Sequence, residues 1–244
     1  MIVLSAGMPK SGSAWYFNLT NDLLIAAGHE DVRDIRARYG LQSVLKHHNC
    51  NIDKHTTTNV LRVVVPHLLG HTFAIKTHDS PTRTLRALMA AGVVKAAYIY
   101  RDPRDVAVSA FDHGERLRSR GEEGIFTQAT NLEAAILLVK RWLLIWEAWM
   151  HCPNVITTRY EDLLADPAQA LARLAAFIGL DVPEATIQQV VDGYAPAQLS
   201  AGKAGHVNFN KGVVGRYREV MSQRELDLCQ EHFGPYLQQM GYAG

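Results

Sequence analysis

Leu4-Ser5-Ala6-Gly7-Met8-Pro9-Lys10-Ser11-Gly12-Ser13-Ala14-Trp15 passes from an apolar strand through a tight loop into the start of a helix within twelve residues. Met1 to Ala6 is a short apolar run, and Gly7 and Gly12 bracket a turn that contains Pro9. From Ser13 to Ala27 the spacing turns helical, with Trp15, Leu19, Leu23 and Ala26 on one face. A loop that opens directly into a helix aims unpaired N–H groups and the positive end of the helix dipole at one point, where an anion supplies the missing acceptors. The stretch therefore predicts a phosphate cradle after the first strand. Nucleotide loops of the G-x-x-x-x-G-K-[ST] kind carry Lys directly after the second Gly, whereas Ser13 and Ala14 follow Gly12 here and Lys10 comes two residues before it.

Working outward, the pattern alternates strand and helix. Thr72 to Lys76 reads as a buried strand that runs into Thr77-His78-Asp79-Ser80-Pro81. Val93 to Tyr100 is the most strand-like run and ends in Arg101-Asp102-Pro103-Arg104-Asp105. There Asp102 fits an N-cap, Pro103 the first helical residue and Asp105 the third position, so capping accounts for both acids but not for Arg101. Ligands of an open parallel sheet bind beyond the carboxyl ends of its strands, which is where Lys10, Lys76, His78 and Arg101 fall. Taken singly, a strand-end Lys reaching solvent and a loop His with a local hydrogen bond are the commoner roles. Ser109 lies farther along the helix that Pro103 opens.

Later segments continue the alternation. The helix from Thr57 is expected to break at Pro66. Gly114 to Gly124 reads as a mobile surface loop, Ala129 to Met150 as a long helix with a core stripe of Leu132, Ile136, Val139, Leu143 and Trp146, and Val155 to Thr158 as a strand before Arg159-Tyr160-Glu161-Asp162-Leu163. Asp166-Pro167 opens a helix that stops at Gly179, and Pro183 to Val191 forms another. Ala201 to Gly215 is Gly-rich and partly basic, suited to closing over a polyanion, and Ser222 caps a last helix over Gln223 to Phe233. The polar stretch from Gly28 to Asp53, with Arg33, Arg36, Arg38, Lys46, His47 and His48, has no assignable structure.

Composition narrows the class. The 244 residues, 48% of them hydrophobic, suit a single α/β domain over 1–244, a central parallel sheet flanked by helices. Twenty-five basic against 24 acidic side chains give a net charge of +1, which argues against general nucleic-acid binding. Cys50, Cys152 and Cys229 are scattered and form no C-x-x-C pair, pointing to free thiols rather than a disulfide framework or a zinc site. The first strand starts at residue 2 and no apolar run reaches membrane-spanning length, so the expectation is a cytoplasmic protein with no membrane segment.

Together the chain resembles the sulfotransferases that use 3'-phosphoadenosine-5'-phosphosulfate (PAPS). Pro9 to Trp15 resembles the family's 5'-phosphosulfate loop, Lys76-Thr77-His78 its catalytic strand end, and Arg101 to Ser109 its 3'-phosphate motif. Arg159 to Leu163 is similar to its adenine-side segment, and Asn210-Lys211-Gly212-Val213-Val214-Gly215 to its C-terminal clamp. The resemblance implies transfer of a sulfuryl group to a hydroxyl, or an amine, of a small molecule, with His78 as general base and Lys10 and Lys76 stabilising charge. It assigns cofactor binding to Lys10, Ser11, Gly12, Ser13, Ala14, Trp15, Arg101, Ser109, Tyr160, Lys211 and Gly212. The cofactor is PAPS, the product PAP, and no metal is required. Asn210 stands where the family often has Arg, leaving Lys211, Arg216 or Lys203 to compensate. The acceptor pocket is expected from Gly28 to Asp53, Thr77 to Thr84 and Gly114 to Gly124. The rival readings are a P-loop kinase using Asp102 to position Mg²⁺ and a catalytically silent nucleotide-binding module.

Overall fold

The computed structural model describes residues 1–194 and 212–242. Lys203, Asn210 and Lys211 lie outside the described residues. In chain order the elements are β1 (Ile2–Gly7), α1 (Ser13–Ala26), α2 (Val32–Arg38), β2 (Leu45–Lys46), β3 (Asn51–Ile52), α3 (Thr57–Leu68), β4 (Phe73–Thr77), α4 (Arg83–Ala90), β5 (Val94–Tyr100) and α5 (Pro103–Ser119). A 3₁₀ turn (Ile125–Gln128) follows, then α6 (Leu132–Met150), β6 (Val155–Arg159), α7 (Tyr160–Ala165), α8 (Pro167–Ile178), α9 (Glu184–Asp192), α10 (Tyr217–Val220) and α11 (Gln223–Gln239). This is an α/β fold whose central sheet is mostly parallel and flanked by helices.

The chain divides into two compact units. One holds Met1–Gly7, Gly12–Tyr100 and the described part of Ala148–Asn210; the other holds Met8–Ser11, Arg101–Glu147 and the described part of Lys211–Gly244. The first contains the whole sheet, in the order β2-β3-β4-β1-β5-β6. Every neighbouring pair is parallel except the β2–β3 ribbon. β1 is central, with Leu4 facing Ile75 on one side and Ala96 on the other. All six residues of β1 and all five of β4 are buried, as the continuous apolar run of an interior parallel strand predicts. Parallel pairing also means that β1, β4 and β5 end at one edge, so Gly7, Thr77 and Tyr100 are the last residues before three loops that leave the sheet together.

Helix α1 departs from the expected single apolar face. Trp15 through Asn21, Leu23 and Leu24 are all buried, while Ala26 is exposed. A helix buried on most of its circumference must satisfy its polar side chains internally. Asn18 donates to the Ala14 carbonyl at 2.7 Å and to Asn49 Oδ1 at 3.0 Å, Thr20 Oγ1 to the Tyr16 carbonyl at 2.7 Å, and the Tyr16 hydroxyl meets Thr158 Oγ1 at 3.0 Å. The unassigned stretch after Gly28 contains α2, capped by Asp31 on the Arg33 N–H, and the two-residue strands β2 and β3.

Helix α3 runs through Pro66 to Leu68 instead of breaking there. Pro66 is in its last turn, where the clash and the missing N–H affect little remaining helix.

In the second unit α5 carries on through Gly114 to Ser119, so of the loop expected from Gly114 to Gly124 only residues 120–124 lie outside a helix, directly before the 3₁₀ turn. Gly114 is needed rather than disruptive: a Cβ there would collide with the carbonyl oxygen of Phe126, which packs directly on the helix. Arg118 holds the same turn, its Nη1 donating to the carbonyls of Thr127 and Ala129 at 2.9 Å each. Helix α11 likewise continues past Phe233 through Pro235 to Gln239, and starts with a reciprocal capping box between Ser222 and Glu225.

Candidate active site

The first unit contributes a positioned imidazole. His78 directly follows β4, and its Nδ1 lies 2.6 Å from the main-chain carbonyl of Gly7, the last residue of the adjacent strand. A carbonyl only accepts, so Nδ1 carries a hydrogen, and in the neutral ring the lone pair is on Nε2. That Nε2 is 2.5 Å from Lys76 Nζ. Lys76 is 6% exposed, and burial, opposed by Asp53, brings its ammonium down to about 7. Near neutrality Lys76 is thus divided between ammonium and amine, a state suited to exchanging a proton with its neighbour.

In the same unit, Gly12 precedes α1 with φ 79° and supplies no side-chain cap, and the first turn of α1 holds no acidic residue. The N–H of Tyr16 closes the first helical bond onto the Gly12 carbonyl at 3.0 Å. The earlier N–H groups, of Ser13, Ala14 and Trp15, belong to the set a helix cannot satisfy internally. Tyr160, at the start of α7, packs its ring on Gly12 so closely that a Cβ there would come within 2.6 Å of it. Trp15 and Tyr160 are both buried.

The second unit gathers cations. Met8 to Ser11 forms a turn in which the Ser11 N–H and hydroxyl both donate to the Met8 carbonyl, at 3.3 and 2.6 Å, while Lys10 takes φ 67°. Lys10 Nζ stands 5.7 Å above the Phe126 ring, and its ammonium is brought down to about 8 by burial, then by Arg116 and Arg101, against the pull of Asp112. Arg101, which immediately follows β5, donates to Asp105 Oδ2 at 3.3 Å and to the Val213 carbonyl at 2.7 Å. Ser109, one turn beyond Asp105 on α5, is buried.

Asp102 caps α5 as predicted, accepting from the Arg104 N–H at 2.9 Å and binding its guanidinium. Asp105 does not cap. Its carboxylate accepts from the Gly215 N–H at 2.6 Å and the Tyr217 N–H at 3.2 Å, so it fastens the segment after Gly212 to α5. Nothing local marks this contact, which spans more than a hundred residues. Gly212 has φ 63°, a value that favours glycine. Arg216, one candidate to replace the missing clamp arginine, pairs with Asp112 at 2.9 Å. Lys211 lies outside the described residues. Among the described residues there is no group of three His, Cys, Asp or Glu side chains placed to hold a metal ion, and no helix is long and apolar enough to cross a membrane. The three cysteines are free thiols.

A family model described as "Sulfotransferase domain" matches residues 2–241. The chain belongs to the sulfotransferase family. Among its relatives, luciferin sulfotransferase of Photinus pyralis is 24% identical over 207 residues, covering 78% of this chain and 54% of that protein. Sulfotransferase 4A1 of Mus musculus is 25% identical over 174 residues, covering 68% and 59%. These alignments thus span between half and three-fifths of the relatives' length. In three dimensions this sulfotransferase is similar to retinol dehydratase solved with androsterone and the inactive cofactor PAP, at a TM-score of 0.61, 19% identity and coverage of 97% of this chain and 80% of that one. It is similar also to a mouse sulfotransferase, SULT7A1, complexed with PAP, at a TM-score of 0.58, 19% identity and coverage of 97% and 84%.

Proposed function

We propose that this sulfotransferase, acting as one domain over 1–244, moves a sulfuryl group from PAPS to a hydroxyl of a small-molecule acceptor, with His78 as general base. The observation that carries this reading is the imidazole itself. Its Nδ1 is tied to the Gly7 carbonyl, so the lone pair on Nε2 is directed to proton abstraction. Family membership and relatives solved with PAP support the donor.

The donor, when bound, supplies a sulfur centre already bonded to a good leaving phosphate. The residues present suit such an anion: cationic Lys10 and Arg101, N–H groups of an α1 start without acidic neighbours, and a glycine at 12. Lys10, Ser11, Gly12, Ser13 and Ala14 take the phosphosulfate. Arg101, Ser109, Lys211 and Gly212 take the 3'-phosphate, and Trp15 and Tyr160 the adenine side. Asp105 keeps Arg101 oriented.

His78 removes the acceptor hydroxyl's proton at Nε2 as the oxygen attacks sulfur in line with the departing phosphate. Lys76, on that same nitrogen, steadies negative charge on the sulfuryl oxygens once the lone pair is engaged by the acceptor. No step calls for a metal ion, and the reaction is assigned to the cytoplasm.

Calorimetry tests the donor. PAP should bind the wild-type protein without Mg²⁺, and Arg101→Ala should weaken it. Sulfuryl transfer should be lost in His78→Ala while PAP binding persists. Preferential binding of ATP with Mg²⁺ would turn the assignment toward a kinase, PAP binding with no transfer to any hydroxyl would leave only a nucleotide-binding module, and full activity in His78→Ala would refute His78 as the general base.

A further inference from the structure

His55 lies between β3 and α3, directly before the Thr56 cap, and is 4% exposed. An imidazole so deep needs an account of both its nitrogens. Nδ1 is 3.0 Å from the Ser80 carbonyl, which only accepts, so Nδ1 carries a hydrogen. Burial lowers the pKa of the ring, against the opposing effects of that carbonyl and of Asp79. The ring is therefore neutral at physiological pH, with its lone pair on Nε2. Nε2 meets no hydrogen-bond partner among the described residues. The ring lines a cavity of about 20 Å³ whose other side chains are all apolar, Ile52, Val60, Val63, Ile75 and Leu85 among them. That volume admits one water, but a buried water makes about three hydrogen bonds and His55 is the one polar side chain on this wall. The working contact of the ring is thus its bond to Ser80.

That bond completes a set within the first unit. Ser80 lies two residues past His78. The Asp79 N–H donates to Thr77 Oγ1 at 3.1 Å and the Ser80 N–H to Asp79 Oδ1 at 2.8 Å. The Asp79 carbonyl accepts from the Trp149 indole at 3.1 Å, and the Ser80 carbonyl from His55. All four main-chain polar groups of these two residues are engaged, although neither belongs to a helix or strand, and Pro81 has no N–H to satisfy. The N–H bonds are local, whereas the two carbonyls are held by rings 25 and 70 residues away. Trp149 is fully buried and its ring lies 6.0 Å from that of Tyr98, so it serves the core as well. The contacts of His78 itself are to fixed groups, the Gly7 carbonyl at the end of β1 and Lys76 on β4. Whether its ring meets them depends on where the chain holds residue 78, between the end of β4 and this fastened loop.

We propose that His55 is a positioning residue for sulfuryl transfer: by holding the Ser80 carbonyl it fixes the chain beyond His78, and so keeps the His78 imidazole on the Gly7 carbonyl. The proposal rests on the reading of His78 as general base. It gives a reason for a buried imidazole that leaves one nitrogen facing apolar side chains, where a leucine would pack without that cost.

The test uses the full chain labelled with ¹⁵N-histidine, the His78 signals being those absent from His78→Ala. Two-bond proton–nitrogen correlations separate a ring nitrogen that bears hydrogen from one that does not. In wild type the two His78 nitrogens should be well resolved, in the pattern of the Nδ1–H tautomer. His55→Leu and His55→Gln should move both toward an averaged shift, as the ring leaves the carbonyl and samples both tautomers. His55→Asn should keep the wild-type pattern, because Asn Nδ2 falls near the place of imidazole Nδ1, whereas Gln Nε2 falls near that of imidazole Nε2. Unchanged His78 signals in the Leu and Gln variants would overturn the proposal. So would an Asn variant altered as much as they are, since ring bulk rather than the Nδ1 hydrogen would then be responsible. If His55→Leu does not fold, the Asn and Gln pair decides. The spectra need no acceptor, and PAP calorimetry on the same samples is scored separately. Unchanged His78 signals with intact PAP binding refute only the role of His55, whereas PAP binding to none of the proteins, wild type included, refutes the sulfuryl-transfer reading.

Discussion

Lys76 is a buried cation-forming group whose proposed role is catalytic, so its removal should stabilise the fold while abolishing turnover. Its ammonium titrates at about 7 in the folded chain against 10.5 for an ordinary lysine. A folded value below the unfolded one means that the unfolded chain binds more protons between the two, so stability rises with pH across that window. The full penalty is present at and below pH 7 and fades as pH approaches 10.5. At about 1.4 kcal/mol per unit, the shift corresponds to roughly 4 kcal/mol at pH 7, about 3 kcal/mol at pH 8.5 and about 1 kcal/mol at pH 10. Relaxation around the charge and loss of the contact with His78 Nε2 reduce the observable gain to about 2 kcal/mol at neutral pH.

Lys76→Met keeps the volume and removes the titration. Thermal unfolding of both proteins at pH 7, 8.5 and 10 should show the variant more stable by about 4–8 °C at pH 7, with the gap closing as pH rises. Sulfuryl transfer should fall at least 100-fold. A variant less stable than wild type at pH 7, or a gap that does not narrow with pH, would refute the reasoning that Lys76 is held against its own solvation.

Three further outcomes follow from local geometry. Gly12→Ala forces φ 79° on a residue with a Cβ and drives that carbon into the Tyr160 ring; it should cost about 2–4 kcal/mol in urea unfolding, and Tyr160→Ala in the same chain should relieve part of the cost, seen as a non-additive double-mutant cycle. Gly114→Ala should unseat the 3₁₀ turn from α5 at a cost of about 1–3 kcal/mol, read in urea unfolding, whereas an unchanged midpoint would show that the turn yields freely. Tyr98 buries a hydroxyl that meets no hydrogen-bond partner among the described residues, so Tyr98→Phe should raise the unfolding free energy by about 1 kcal/mol in urea titration; a loss of stability would reveal a partner for that oxygen.

Much of the geometry around the candidate site could be read from the chain because it sits next to strong local signals. β1, β4 and β5 are continuous apolar runs, and Asp102 with Pro103 marks the start of α5 as clearly as any pair in the sequence. What stayed hidden depends on distant partners. Asp105 looks like a capping residue until Gly215 and Tyr217 arrive from the far end of the chain. Gly114 reads as a helix breaker until the Phe126 carbonyl is seen to need its missing side chain, which outweighs a propensity cost of about 1 kcal/mol. β2 and β3, at two residues each, are too short for alternation to register, and α1 conceals its burial behind Asn18, Thr20 and Asn21.

The hydrogen bond from His78 Nδ1 ends on a main-chain oxygen. A histidine oriented by a carboxylate loses its tautomer when one codon changes, but no side-chain replacement can delete the carbonyl of Gly7. Gly7 itself has little latitude, since a Cβ there would come within 2.6 Å of Ile99 Cγ2 and 3.0 Å of the Ile99 carbonyl oxygen. The restriction arises from sheet packing rather than from chemistry. Away from the side chains that fasten its loop, the proposed base therefore stays insulated from mutational drift elsewhere in the chain, its orientation inherited from the backbone of the fold.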